Sequence, residues 1–254
     1  MTARTVLITG AGSGFGKGAA VELAARGHRV VATTETEEQA SALEAEHPDL
    51  ETRKLDVTSS EDIAAVADLE IDVLINNAGL GVMAPMESVP MERVRASFEV
   101  NVFGMVEMSQ AVIPGMKQRG WGRIINVSSV AGKMAGALGS PYCMTKHAVE
   151  AFTSSLRAEM EPFGIDVTKV NPGPYDTGFN DRMVNGIATW IAAGDEATTD
   201  AHGAISEIVL TGQLDPNEVA QTLADLTEAD STPPETLLPE GIGDALAAAI
   251  AASS

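Results

Sequence analysis

One cysteine in 254 residues, Cys143, excludes an internal disulfide and any cysteine-based metal cluster. Basic residues are also scarce. Sixteen Lys and Arg against 36 Asp and Glu leave a formal charge of -20, which argues against nucleic-acid and anionic-membrane partners, whose phosphates require clustered cations. The acidity reads instead as a solvated surface. No apolar run approaches the ~20 residues that span a bilayer, and the start, Met1-Thr2-Ala3-Arg4, enters a strand-like run with no signal-peptide pattern. A cytoplasmic protein is expected. Of the few histidines, His28, His47 and His202 are too scattered for metal-ligand spacing, and no metal site is expected.

What is present is a large apolar fraction, 44% hydrophobic against 20% charged, enough for a core and too much for general disorder. Short Val/Ile/Leu runs alternate with longer helical patterns. Val6-Leu7-Ile8, Val30-Val31-Ala32, a run ending in Leu55-Asp56-Val57, Val73-Leu74-Ile75, Ile124-Ile125-Asn126-Val127 and 167–170 read as six strands. Helices are expected at 15–26, between Ala32 and Pro48, at 63–69, at 91–117 with a bend at Pro114, and at 142–162. Continuous apolar runs suit strands buried on both faces of a parallel sheet, and the alternation gives right-handed βαβ crossovers. The fold class expected is therefore α/β, a doubly wound parallel sheet flanked by helices in a single domain, 1–254. After residue 179 the composition turns Ala/Thr/Asp/Gly-rich, with helical pieces at 180–193, 204–210 and 217–226. Thr232-Pro233-Pro234 interrupts them, Thr236-Leu237-Leu238 offers a weak strand, and the tail 244–252 reads as a short helix.

The first strand runs into Thr9-Gly10-Ala11-Gly12-Ser13-Gly14-Phe15-Gly16. Gly10 can make the tight turn, Gly14 lets the backbone approach a pyrophosphate, and Gly16 lets helix and strand pack closely. A Walker loop does not fit, because Gly16-Lys17 is followed by Gly18 and Ala11 stands at the leading glycine position. Farther on, Tyr142 and Lys146 stand one turn apart on one helix face. A lysine ammonium beside a phenol lowers its pKa, making the tyrosine an acid/base for an alcohol or ketone oxygen, and the Ser129 hydroxyl can hold that same oxygen. Cys143 points about 100° away from Tyr142 around the helix and reads as a wall residue. His147 reads as helix packing, and Met83, Met86 and Met91 read as either cavity lining or adaptable core.

Six motifs in order make the chain resemble the short-chain dehydrogenase/reductases over about residues 5–179: Thr9-Gly10 through Gly14-Phe15-Gly16; Asn76-Asn77-Ala78-Gly79; Val100-Asn101-Val102; Asn126-Val127-Ser128-Ser129; Tyr142 with Lys146; and Asn171-Pro172-Gly173-Pro174 with Thr177. The resemblance implies a Rossmann-type domain, with a cofactor-binding and catalytic core at 4–179 and a substrate lid and C-terminal region at 179–254. It also implies a catalytic tetrad. Tyr142 would be the acid/base and Ser129 would polarise the substrate oxygen. Lys146 would hold the nicotinamide ribose and lower the Tyr142 pKa, and Asn101 would hold a water that relays protons from Lys146. For the cofactor it implies Gly10, Ser13, Gly14, Phe15 and Gly16 at the pyrophosphate, with Asp56 and Val57 at the adenine. Asn77, Ala78 and Gly79 would pass under the adenosine ribose, and Pro172, Gly173 and Thr177 would lie at the carboxamide.

Two departures qualify this. The second strand ends in Thr34-Glu35, where NAD users often carry an acid and NADP users an arginine, and Ser13 replaces a basic residue common in NADP users. A carboxylate near the ribose 2′ position repels a phosphate, so NAD is expected, with NADP as the alternative. The tail lacks the family's usual closing segment and resembles the retinol- and hydroxysteroid-dehydrogenase branch. A homodimer through the long helices or a homotetramer is expected. The function expected is hydride transfer between nicotinamide and a secondary alcohol or ketone, mostly apolar because Met183, Ile187, Trp190 and Ile191 suggest an apolar lid. The alternatives are a cofactor-binding regulator without turnover and a relative with other chemistry, such as an epimerase.

Overall fold

Val6, Leu7 and Ile8 are completely buried, and their alternation sends Val6 and Ile8 to one face of a sheet and Leu7 to the other. That is how an unbroken apolar run satisfies a strand covered on both sides. The computed structural model describes residues 2–67 and 69–252. Seven parallel strands, β1 (Thr5–Ile8), β2 (Arg29–Thr34), β3 (Glu51–Lys54), β4 (Val73–Asn76), β5 (Gly122–Val127), β6 (Ile165–Pro172) and β7 (Thr236–Leu238), lie in the order β3-β2-β1-β4-β5-β6-β7. Because β1 has β2 on one side and β4 on the other, the connections diverge there and leave a crevice at the carboxyl ends of the strands.

One face carries α1 (Gly14–Ala25), α2 (Glu37–Glu46) and α9 (Asn217–Glu228), whose Ala19, Leu23, Leu43, Val219 and Leu223 cover Val6, Ile8, Val30 and Ile75. The other carries α3 (Ser60–Ala64), α5 (Gly104–Arg119) and α6 (Ser140–Met160), whose Ile63, Met108, Met116, Leu156 and Met160 cover Leu7, Val31, Leu74 and Ile124. The remaining helices are α4 (Met91–Phe98), α7 (Phe179–Ile187), α8 (Glu196–Leu210) and α10 (Ile242–Ala252).

The sheet and the single domain agree with the sequence reading. Several boundaries do not. The strand expected to end at Leu55-Asp56-Val57 stops at Lys54, and these three residues turn away into the crevice. The helix expected at 63–69, of which residue 68 lies outside the described residues, corresponds to α3, started by Ser59, whose side chain accepts from the Asp62 N–H at 3.3 Å. The expected helix 91–117 is interrupted at Glu99–Phe103, a π-helical segment, and Pro114 lies inside α5. Such a segment re-aims the side chains it carries, and this one carries Asn101.

Candidate active site

The carboxyl ends of the strands open into a cavity of about 1220 Å³, large enough for a dinucleotide together with a small substrate. At one end lies the glycine-rich turn. Gly10 has a φ of 67°, and a Cβ there would lie 2.8 Å from the Ala78 Cα. Gly16 is buried behind the turn and does not reach the cavity wall. A Cβ on it would lie 2.4 Å from Asn77 Nδ2 and 2.6 Å from the Gly10 carbonyl oxygen. Asn77 is therefore a staple. Its Nδ2 donates to the Thr9 and Gly10 carbonyls at 2.9 and 3.0 Å, while the Asn77 and Ala78 N–H groups donate to Thr9 Oγ1, both at 3.0 Å.

At the start of α1, Ser13 makes no side-chain cap bond and no acid stands in the first turn, so the positive helix end faces the cavity without a carboxylate of its own. This cradle fits a pyrophosphate. Gly16→Ala is expected to force the staple apart, lowering Tm by a few degrees (about 1–3 kcal/mol) and raising the Kd for reduced nicotinamide cofactor about tenfold. Melting curves and fluorescence titration check this. An unchanged Tm together with an unchanged Kd contradicts the staple.

Ser13, Thr34, Glu35, Gln39, Asp56 and Val57 line the next stretch of wall. Thr34 is buried and its Oγ1 donates to the Thr36 carbonyl at 3.0 Å, whereas Glu35 is exposed. Thr36 caps α2, and its capping partner Gln39 accepts from the Glu35 N–H at 3.1 Å, which fixes the loop that presents Glu35. Asp56 Oδ1 accepts from the Thr58 N–H and hydroxyl, both at 2.8 Å.

Ser129, just past β5, and Tyr142 and Lys146, on α6, line the same cavity, with Pro172, Gly173 and Thr177 from the segment after β6. Ser129 Oγ accepts from the Ala131 N–H at 3.1 Å. Lys146 Nζ donates to the Val127 carbonyl at 2.9 Å and lies 5.7 Å from the centroid of the Tyr142 ring. Burial pushes the Tyr142 phenol above its ordinary pKa of 10, with the Ser129 hydroxyl pulling the other way. Burial also pushes the Lys146 ammonium down to about 8, opposed by the charge of Glu150. The expected lowering of the Tyr142 pKa by Lys146 is therefore not what this arrangement produces. The ammonium is held on the Val127 carbonyl, and burial sets the direction of the Tyr142 shift.

Asn101 is completely buried and off the cavity wall. Its Oδ1 accepts from the Leu80 N–H at 2.7 Å, and its Nδ2 donates to the Leu80 carbonyl at 2.9 Å and to Thr145 Oγ1 at 3.0 Å. Both amide protons are taken within the protein. These bonds clamp the chain beyond Asn77-Ala78-Gly79 to α6.

Glu150 went unremarked in the sequence, although its spacing, one turn beyond Lys146, could have singled it out. Its carboxylate accepts from the Ser128 hydroxyl and from Asn171 Nδ2, both at 2.6 Å, and pairs with Lys133 and Lys169 at 2.9 and 3.0 Å. It thereby ties together the strand ends that carry Ser129 and Pro172.

The far lobe of the cavity is lined by Leu80, Met83, Met134, Phe179, Met183, Ile205, Ile208 and Val209. Of the expected lid residues only Met183 is on this wall. Ile187 is buried elsewhere and Trp190 packs on the Val82, Val89 and Val94 cluster, while α8 supplies the wall instead. Met86 and Met91 are exposed and do not line the cavity. Cys143 lines it with burial raising its pKa, which keeps it a neutral thiol. His147 faces the Cys143 carbonyl at 2.9 Å.

The short chain dehydrogenase family profile matches residues 4–187. The chain is 38% identical to the uncharacterized oxidoreductase YusZ of Bacillus subtilis over 240 residues, 89% of this chain and 85% of that protein. It is 39% identical to human retinol dehydrogenase 8 over 193 residues, 71% of this chain but only 62% of that protein's own length. Its fold is similar to the closed form of a serine dehydrogenase complexed with NADP+, with a TM-score of 0.78 and 30% identity over 92% of this chain and 94% of that one. The chain belongs to the short-chain dehydrogenase family, oxidoreductases that use NAD or NADP.

Proposed function

We propose that the protein reduces or forms a mostly apolar secondary alcohol/ketone pair with Tyr142 as the proton donor and acceptor, and that it prefers NAD. The observation that carries this reading is the placement of Ser129, Tyr142 and Lys146 on one cavity wall, between the glycine cradle and the methionine-lined lobe. The nicotinamide cofactor, when bound, supplies the hydride chemistry. Gly10, Ser13, Gly14 and Phe15 would hold its phosphates, Asp56, Val57, Asn77, Ala78 and Gly79 its adenosine, and Lys146, Pro172, Gly173 and Thr177 its nicotinamide half.

Ser129 would hold the substrate oxygen, and Tyr142 would give it a proton or take one away. With its pKa raised by burial, Tyr142 keeps its proton at neutral pH, which is the form that donates to a ketone. Lys146 is charged below about pH 8, so the field that stabilises a developing phenolate fades above that pH. Asn101 and Glu150 act at one remove, by positioning the backbone on which these groups stand.

The NAD preference rests on the 2′ end of the cavity. Ser13, Thr34, exposed Glu35 and Gln39 line it there, and none of them is cationic. A carboxylate beside a phosphate costs enough to favour NAD about tenfold or more in kcat/KM. A panel of secondary alcohols and ketones, followed by the absorbance of reduced nicotinamide with both cofactors, tests both parts. Preference for NADP overturns the cofactor assignment, and absence of turnover with every alcohol and ketone overturns the reaction.

A further inference from the structure

Arg182 has no part in the steps above. It is exposed one turn into α7 and lines the cavity. Among the described residues, it and Lys146 are the only lysines or arginines on the cavity wall. Elsewhere the cations of this acidic chain mostly find carboxylates, Arg26 with Asp225 and Glu228, and Arg29 and Arg53 with Glu51. No ion pair joins Arg182 to any described carboxylate.

Its guanidinium folds back over the helix start, where a Cβ on Gly178 would lie 3.1 Å from Nη1. Gly178 caps α7 and follows Thr177, whose Cβ is 3.1 Å from where a Cβ on Gly14 would stand. The guanidinium, Thr177 and the first turn of α1 thus follow one another along a single stretch of wall. By itself the arrangement leaves the guanidinium without a direct partner among the described carboxylates. A cation lies in the first turns of α7, beside Asp181 but joined to it by no ion pair. An anion seated on the first turn of α1 would supply a partner.

We propose that Arg182 is a second holder of the cofactor pyrophosphate, reaching from α7 to phosphates cradled on the first turn of α1; this rests on the cofactor reading above. The planar fork of a guanidinium suits two phosphate oxygens at once. The apolar lobe offers methionines and aliphatic side chains, not partners for an anionic substrate, and the contacts through Thr177 lead to Gly14.

The test uses ADP-ribose, which carries the pyrophosphate without the nicotinamide, and adenosine, which carries neither. Calorimetry should show the Kd for ADP-ribose rising about tenfold in Arg182→Gln, with adenosine unchanged, Arg182→Lys in between, and a salt dependence shallower than in the parent protein. An equal loss for adenosine, or an ADP-ribose Kd that Arg182→Gln leaves unchanged, overturns the proposal. So does a rise in KM confined to carboxylate-bearing substrates, which would give Arg182 to the substrate. Failure of the parent protein to bind ADP-ribose would instead overturn the cofactor reading itself, and the proposal with it.

Discussion

Tyr142→Phe is expected to lower turnover by about 10²–10⁴-fold while the cofactor Kd stays within about twofold. The substitution removes one oxygen and keeps the ring. Tyr142 is only 9% exposed, and its ring packs on Phe179 with centroids 5.9 Å apart, a contact that phenylalanine preserves. Among the described residues the phenol's one side-chain partner is the Ser129 hydroxyl, itself on the cavity wall, so the loss is expected to fall on proton transfer and not on folding. Stopped-flow single turnovers with a ketone, alongside fluorescence titration of reduced cofactor, separate the two. Turnover within about threefold of the parent would remove Tyr142 from its role.

Lys146→Met is expected to abolish most turnover and yet to raise stability at neutral pH. The folded protein holds this ammonium in a buried site where its pKa falls from 10.5 to about 8. A lysine whose pKa is depressed by folding binds fewer protons in the native state than in the unfolded state between those two values. Stability therefore rises with pH across that window, and below it the full penalty applies, on the order of 3 kcal/mol. Methionine removes the penalty but also loses the bond to the Val127 carbonyl, at a cost of about 1–2 kcal/mol. A gain of a few degrees in Tm is expected at pH 7, shrinking or reversing by pH 9.5. A Tm difference of constant size over that range would show that Lys146 is not desolvated as described.

The sheet was legible because its strands announce themselves twice, as apolar runs and by the turns that end them. Val73-Leu74-Ile75 could only be a doubly covered strand, and all three residues are fully buried. The glycine turn and the Tyr142–Lys146 spacing were equally plain, since both depend on local geometry. What the sequence hid depends on distant partners. The π-helical segment follows from nothing in Glu99-Val100-Asn101-Val102-Phe103 alone. Its setting is tertiary: Gly104 lies where a Cβ would come within 2.6 Å of the Val57 carbonyl oxygen, and Asn101 reaches Leu80 and Thr145. The direction of the Tyr142 shift was hidden for the same reason. Helical spacing brings a lysine near, but only the burial of both side chains decides which influence wins. The wall of the apolar lobe was misassigned in part because the sequence after residue 179 has helical periodicity on several faces, and only the fold shows that α8 borders the cavity, with half-buried Ile205 and Val209 and exposed Ile208 on its wall.

The chain after residue 178 is split between two tasks. Helices α7 and α8 border the cavity, while α9 lies against α1 so tightly that a methyl on Gly18 would come within 3.0 Å of the Ala220 Cβ. A change in α8 is therefore expected to alter the cavity wall with little effect on folding, whereas a bulky residue at 18 or 220 is expected to pry apart α1 and α9 and with them the start of α1 at the glycine turn. Any redesign for a new substrate has its freedom in the first of these stretches and its limit in the second.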